Sequence, residues 1–374
     1  MIDLLNKYLT LGNCLIIVII FLVFVFFKIK NRIKIIIPYI ISIVLCLYVY
    51  EVIILKSEYT FSVNLGDYSS GRYFKKQIPN LGYGPPDEGE YTSIKLINSD
   101  TVYNVVYSIK DKLRVTPSSN KNSENQIIFL GCSQTFGEGL NDNQTLANYF
   151  GEETDKVFMI RNYGFHGYGP HNIHSLIKNN ILPNYNQKIK TIAIYDFYWY
   201  HINRAVSNVS GQEPWYEEEN GEIVLKGTFD DRDGIVKTGY YNKYYDALRN
   251  RIIRRSNIYK KHFTNPSNDI ALKNIDKHDI NRTILLIEDI SEMFKTYNID
   301  FVVNIDTQIA QNSHIKNFFN KNEIGFICIE CDIPDINTNE SFRIPLDGHN
   351  SSSLNKKKAN ILRLKLLSLG YKIN

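Results

Sequence analysis

Hydrophobic positions along this chain fall into three textures. Residues 8–27 (YLTLGNCLIIVIIFLVFVFF) and 35–55 (IIIPYIISIVLCLYVYEVIIL) are continuous apolar runs, each offering roughly the 20 residues that cross a bilayer core. Only Glu51 is charged within them, near the outer end of the second run, and Pro38 lies in a first turn where its missing N–H does no harm. The pattern predicts a two-helix transmembrane hairpin over 1–56. Residues 57–122 carry short β-prone runs such as TVYNVVYSI between turn-rich pieces such as NLGYGPPDEGE, which predicts a strand-rich lead-in. No charged catalytic group stands out there. From Gln126 onward apolar runs alternate with helical stretches: QIIFL, DNQTLANYF, VFMI, PHNIHSLIKN, TIAIY, then DINRTILLIEDISEMFKTY, DFVVNI, IAQNSHIKNFFNKN, GFICIE and LNKKKANILRLKLLSL. That alternation predicts an α/β domain over 123–374, a parallel sheet with helices on both faces. An insertion near 203–265 interrupts it, with a hairpin around Asn220-Gly221 and a basic helix through Arg249, Arg251, Arg254, Arg255, Lys260 and Lys261. Those charges either form a solvated face or meet anionic lipid or glycan.

Charge placement orients the hairpin. Lys28, Lys30, Arg32 and Lys34 lie between the two runs, and short basic loops stay cytoplasmic. The chain is therefore expected in the cell membrane with both termini extracytoplasmic. Asp3, Lys7 and a full-length apolar run do not suit a cleaved signal peptide. Over 374 residues, 43 Lys+Arg against 39 Asp+Glu leave a net charge of +4. That balance excludes a strongly basic nucleic-acid binder and an acidic disordered chain. Five cysteines cannot build a disulfide framework, and Cys14 and Cys46 read as small hydrophobes in their apolar runs.

Candidate chemistry sits at two distant points of the α/β region. The strand QIIFL runs straight into Gly131-Cys132-Ser133-Gln134-Thr135-Phe136-Gly137-Glu138-Gly139. A serine among small residues at the carboxyl end of a parallel strand is a natural nucleophile position, and the glycines permit close backbone approach. The Lys and Ser/Thr of a P-loop are absent, which removes nucleotide binding. Near the other end, Asp347-Gly348-His349 precedes the final helix, a carboxylate and an imidazole able to reach a serine from another loop. His171 and His174 are three apart on an expected helix, but with His166 they lack an acidic or thiolate partner at a familiar spacing, so no metal site is expected. Cys328 and Cys331 would point to opposite faces of a strand, which favours neither a redox pair nor a metal clip.

These segments resemble the conserved blocks of the SGNH/GDSL hydrolases. Gly131 to Gly137 is similar to the first block, with Cys132 where the family has Asp; Asn162-Tyr163-Gly164-Phe165-His166-Gly167 is similar to the second; Asp347-Gly348-His349 is similar to the closing Asp/His block. The closing pair is Asp-x-His rather than Asp-x-x-His, a shortening associated with membrane-linked relatives that modify polysaccharides. The resemblance implies a flavodoxin-like three-layer α/β/α SGNH-hydrolase domain. It also implies Ser133 as nucleophile, His349 as base, Asp347 as its partner, and the Ser133 and Gly167 N–H groups as oxyanion donors. The third block should offer Gly-x-Asn-Asp, yet TIAIY is followed by Asp196-Phe197-Tyr198-Trp199-Tyr200-His201-Ile202-Asn203. Asn203, Tyr198 or His201 is the substitute donor, or two backbone donors suffice; losing one donor costs on the order of a hundredfold or more in rate.

The expected function is that of a membrane-anchored extracytoplasmic serine ester hydrolase acting on an acyl ester, such as the O-acetyl groups of a cell-surface glycan. No cofactor is expected. Two alternatives stand beside it. One is an O-acyltransferase to polysaccharide, which would need a separate membrane protein as acyl donor; the other is a catalytically idle module that binds glycan or protein in the same cleft.

Overall fold

The computed structural model describes residues 11–28, 36–50, 62–68, 78–97, 100–179, 189–206, 211–232 and 275–373. By internal packing the chain divides into two units, Met1–Phe61 with Val236–Asp269 and Ser62–Ile235 with Ile270–Asn374. In the first, helices α1 (Leu11–Lys28) and α2 (Ile36–Val49) pack against each other. They have 18 and 14 residues, and among the described residues no helix is long and apolar enough to cross a membrane. The spans expected over 8–27 and 35–55 are thus helical for part of their length, with 8–10, 35 and 51–55 outside the described residues. The basic helix expected through Arg249 to Lys261 also lies outside them.

The second unit is built on a nine-stranded sheet. Its parallel strands are β5 (Asn125–Leu130), β6 (Met159–Asn162), β7 (Lys190–Phe197), β10 (Ile299–Ile305) and β11 (Gly325–Ile327). They lie in the order β6-β5-β7-β10-β11, the flavodoxin-like order, whose reversal point falls beside the first strand of the set. Period-two alternation explains why helices cover both faces. Ile127 and Phe129 of β5 enter one core with Ile192, Ile194 and Val302, against Leu362 and Leu366 of the last helix, α11 (Ser352–Ser368). Ile128 and Leu130 enter the opposite core with Tyr195, Phe197, Val303 and Ile305, against Ile284, Ile287 and Ile290 of α8 (Lys277–Thr296). The central strands β5, β7 and β10 are apolar on both sides, as a covered parallel sheet requires.

The lead-in strands join this same sheet. β1 (Ser62–Leu65), β2 (Gly89–Ile97), β3 (Asp100–Lys110) and β4 (Leu113–Arg114) are antiparallel. The junction is narrow, a pairing of Arg114 with Asn162 of β6. In the insertion, β8 (Pro214–Glu219) and β9 (Glu222–Thr228) form the expected hairpin. Asn220 and Gly221 take φ of 54° and 86° at its tip, the doubly left-handed turn that Asn-Gly favours.

The segment around Cys328 and Cys331 corrects the sequence reading. The strand stops at Ile327 and Glu330–Asp332 form a 3₁₀ turn, so alternation does not apply. The two cysteines meet instead in a disulfide with Cα atoms 5.4 Å apart.

Candidate active site

Ser133 opens α3 (Ser133–Phe136), the short helix that follows β5 at the reversal point of the strand order. The turn is held from three sides. Thr135 donates its hydroxyl to Asp196 at 2.7 Å, and Asn304 donates to the other oxygen of that carboxylate at 2.8 Å. Asp196, at the end of β7, thereby ties the serine turn to β10, and burial pushes its carboxyl pKa up. Asn162 donates to the Thr135 carbonyl at 2.9 Å and accepts from Gly164 N–H at 3.0 Å. Arg114, buried on the lead-in side, donates to the carbonyls of Phe136, Gly137 and Leu140 and to Asp142, and it lies over the Tyr107 and Phe136 rings.

Two glycines are required by space. A Cβ on Gly131 would sit 2.2 Å from the Thr135 hydroxyl, which its bond to Asp196 holds in place. A Cβ on Gly164 would meet the Phe136 main-chain nitrogen at 2.5 Å, and that backbone cannot swing aside.

The histidine expected as base arrives from the loop before α11. His349 Nε2 lies 2.8 Å from Ser133 Oγ. Its Nδ1 bonds to Asp347, which also accepts from the His349 main-chain N–H at 3.2 Å. Asp347 is presented by a tight turn in which Leu346 takes φ of 60°, a left-handed conformation that costs a non-glycine residue energy. Gln134, the neighbour of Ser133, accepts from Asn350 N–H at 2.9 Å, so the serine turn grips the histidine loop directly.

Three residues of the site lie outside the sequence expectation. Lys95 of β2 pairs with Asp347, although nothing in the lead-in had marked it. A bulge between Lys95 and Leu96 shifts the register there, and bulges re-aim side chains. Glu138 is the second, 2.8 Å from His166 Nδ1 and 3.4 Å from His349 Nε2. Tyr68 is the third, 3.0 Å from His166 Nε2. His166 is therefore a buried link between Tyr68 and Glu138.

Charges in the cluster offset one another. Burial alone would raise the Glu138 carboxyl, but the charge and hydrogen bond of His166 and the charge of His349 hold it at about 2. Burial likewise opposes ionisation of Asp347, and His349 and Lys95 outweigh it, again to about 2. Burial lowers the His349 imidazole, yet the Asp347 hydrogen bond and the charges of Glu138 and Asp347 leave it raised, with Lys95 pulling the other way. Glu138, Asp347 and His349 bring donor atoms within 4.8 Å of one another. The Lys95 ammonium already balances that pocket, so the set is not read as a metal site.

The remaining expected residues are placed as follows. Gly167 sits in the loop after β6, with φ of 75°, and that loop bonds to the serine turn through Phe165 N–H and Gly131 C=O at 3.1 Å. Among the described residues, neither the Ser133 nor the Gly167 main-chain N–H has a partner. Asn203 lies half-buried on α6 (Tyr200–Val206), and none of the hydrogen bonds given above to the serine, histidine or aspartate involves it. Tyr198 and His201 have other hydrogen-bond partners: the Tyr198 hydroxyl accepts from buried Lys358 at 3.3 Å, and His201 Nδ1 meets the Tyr195 hydroxyl at 3.0 Å within an aromatic box. Cys132 is fully buried, its sulfur 3.4 Å from the Tyr200 hydroxyl. His171 and His174 are both wholly buried and face Glu213 and Asp289 respectively.

No family model matches the chain, and no curated protein does. Among solved structures it is similar to a protein assigned to the G-D-S-L lipolytic family from Desulfitobacterium hafniense, at 10% identity over 64% of this chain and 97% of that one, TM-score 0.36. A GDSL-like lipase from Bacteroides thetaiotaomicron matches at 10% identity over 66% and 89%, TM-score 0.32. A member of the G-D-S-L lipolytic family from Veillonella parvula matches at 9% identity over 65% and 98%, TM-score 0.34.

Proposed function

We propose that the chain is a serine ester hydrolase of SGNH/GDSL type. The observation that carries this reading is one line of contacts: Ser133 Oγ to His349 Nε2 at 2.8 Å, and His349 Nδ1 to Asp347. Ser133 attacks the ester carbonyl while His349 takes its proton, Asp347 fixing the imidazole tautomer. The proton then passes to the departing alcohol oxygen, leaving an acyl group on Ser133. Water, deprotonated by His349, releases the acid. In this reading the developing oxyanion is held by the Ser133 and Gly167 N–H groups, with Asn203 the candidate side-chain donor.

The substrate in this reading is an acyl ester on a glycan. Support comes from a cavity of about 280 Å³ beside Gln134 and Gly348, lined by Trp199 and Tyr200 with Gln308, Asn337 and Arg343, a mixture of flat aromatic and hydrogen-bonding side chains that suits a sugar ring. The N-terminal helices anchor the enzyme to a membrane in this reading. Support comes from their exposed apolar side chains, Ile17, Ile20 and Phe21 on α1 and Tyr39 and Ile43 on α2.

The test treats the full chain with a fluorophosphonate probe and with p-nitrophenyl acetate, beside Ser133→Ala and His349→Ala. Labelling at Ser133 that both substitutions abolish is expected; folded wild-type protein that takes no label and hydrolyses nothing returns the cleft to a binding role. Retention in the membrane fraction after alkaline wash tests the anchor, and release into the supernatant rejects it.

A further inference from the structure

We infer that Glu138 is a second carboxylate partner of His349, placed on the Nε2 side of the ring, and that it sets the pH range in which the base is free to act. The inference rests on the reading of His349 as the base of Ser133.

In a Ser-His-Asp arrangement the carboxylate sits on Nδ1 and the nucleophile on Nε2. Here a second carboxylate shares the Nε2 side. Glu138 Oε2 is 3.4 Å from Nε2, against 2.8 Å for Ser133 Oγ. It is fixed there rather than drifting: His166 holds the same oxygen at 2.8 Å, and Tyr68 holds the far side of His166 at 3.0 Å. With neutral His349, Nε2 accepts from the serine hydroxyl and Glu138 has no part. Once Nε2 carries a proton, the imidazolium faces two acceptors, and only one of them is an anion. Glu138 therefore stabilises the protonated ring and leaves the neutral ring unaided.

Every charged group facing the ring enters this balance. Asp347 on its own loop and Glu138 on the serine turn favour the imidazolium, while Lys95 from β2 opposes it. Behind these stand His166, bonded to Glu138, and the Tyr103 hydroxyl, kept neutral by burial. An opposite charge within about 4–6 Å moves a pKa by roughly 1–3 units. Glu138 side-chain exposure of 22% places this case at the low end. Glu138 is thus a positioning residue that acts through His349.

The test reads His349 itself. The full chain is labelled with ε1-¹³C histidine, His349 is assigned through His349→Gln, and its titration is followed by NMR in wild type, Glu138→Gln and Glu138→Asp. The expected result is a midpoint lowered by about one pH unit in Glu138→Gln, with Glu138→Asp between the two. The acid limb of fluorophosphonate labelling should move by the same amount. Should Glu138→Gln not fold, Glu138→Asp alone carries the comparison, because its carboxylate stays but withdraws by one methylene. An unmoved midpoint with a uniformly lower labelling rate would show a merely structural carboxylate and overturn the inference. A lowered midpoint in a chain that never labels upholds the Glu138–His349 coupling and rejects the hydrolase reading instead.

Discussion

The parallel and antiparallel halves of the sheet do different jobs at one site. The parallel half brings the groups proposed to react: Ser133 follows β5, His349 and Asp347 precede α11, and Asp196 at the end of β7 pins the serine turn. The antiparallel half brings no reacting group, yet it supplies Lys95 to the Asp347 carboxylate and Arg114 to three carbonyls of the serine turn. Reactivity and restraint are therefore encoded in separate stretches of chain, and each can be removed while the other is kept.

Removing reactivity gives the largest effect. Ser133→Ala should lower p-nitrophenyl acetate hydrolysis on the order of a thousandfold or more while leaving the melting temperature nearly unchanged. Removing restraint should do the reverse. Arg114→Met removes the donor to three carbonyls and the countercharge of Asp142, which keeps the Ser108 N–H, and loss of one partner from a buried ion pair costs about 3–5 kcal/mol; the 16% exposure of Asp142 points to the lower figure. A melting temperature that stays put in Arg114→Met would erase the distinction between the halves.

Smaller substitutions sharpen it. Lys95→Met should lower kcat/KM by about tenfold, a loss of about 1.4 kcal/mol of transition-state stabilisation, because Asp347 then depends on His349 alone. It should also move the acid limb upward, since the Lys95 charge lowers His349. Gln134→Ala, which frees the Asn350 N–H, should cost only a few-fold in kcat, at about the 1 kcal/mol worth of one hydrogen bond. The gentlest probe is acid. Asp347 and Glu138 are both held near 2 in the fold, below the roughly 4 of free carboxyls. Their contribution to stability is full above about pH 4 and disappears as pH falls toward 2, which a denaturation series across that window would record.

The division also explains what the sequence disclosed. Ser133 was legible because a buried strand running into small residues is a local pattern, and Asp347 with His349 because they share one loop. The alternation of apolar runs was enough to place the parallel sheet. Lys95 was invisible because its partner lies 252 residues away, and its aim depends on a bulge that no side-chain pattern announces. Arg114 spends its donors on main-chain carbonyls, which carry no residue signature. Glu138 sat within the quoted serine motif but gained meaning only through His166, from a separate loop. The pairing of Cys328 with Cys331 was missed for a simpler reason: period-two reasoning was carried past the point where the strand ends.

The junction of Arg114 with Asn162 has one more consequence. Without the lead-in, β6 would end the sheet and offer its unpaired N–H and C=O groups to any other extended chain. With it, the outermost strands of the sheet among the described residues are β1 and β11, of four and three residues. The same polypeptide that steadies the serine turn covers that edge, so a version trimmed to begin at Ser123 is expected to clump into β-rich aggregates rather than stay a smaller folded domain.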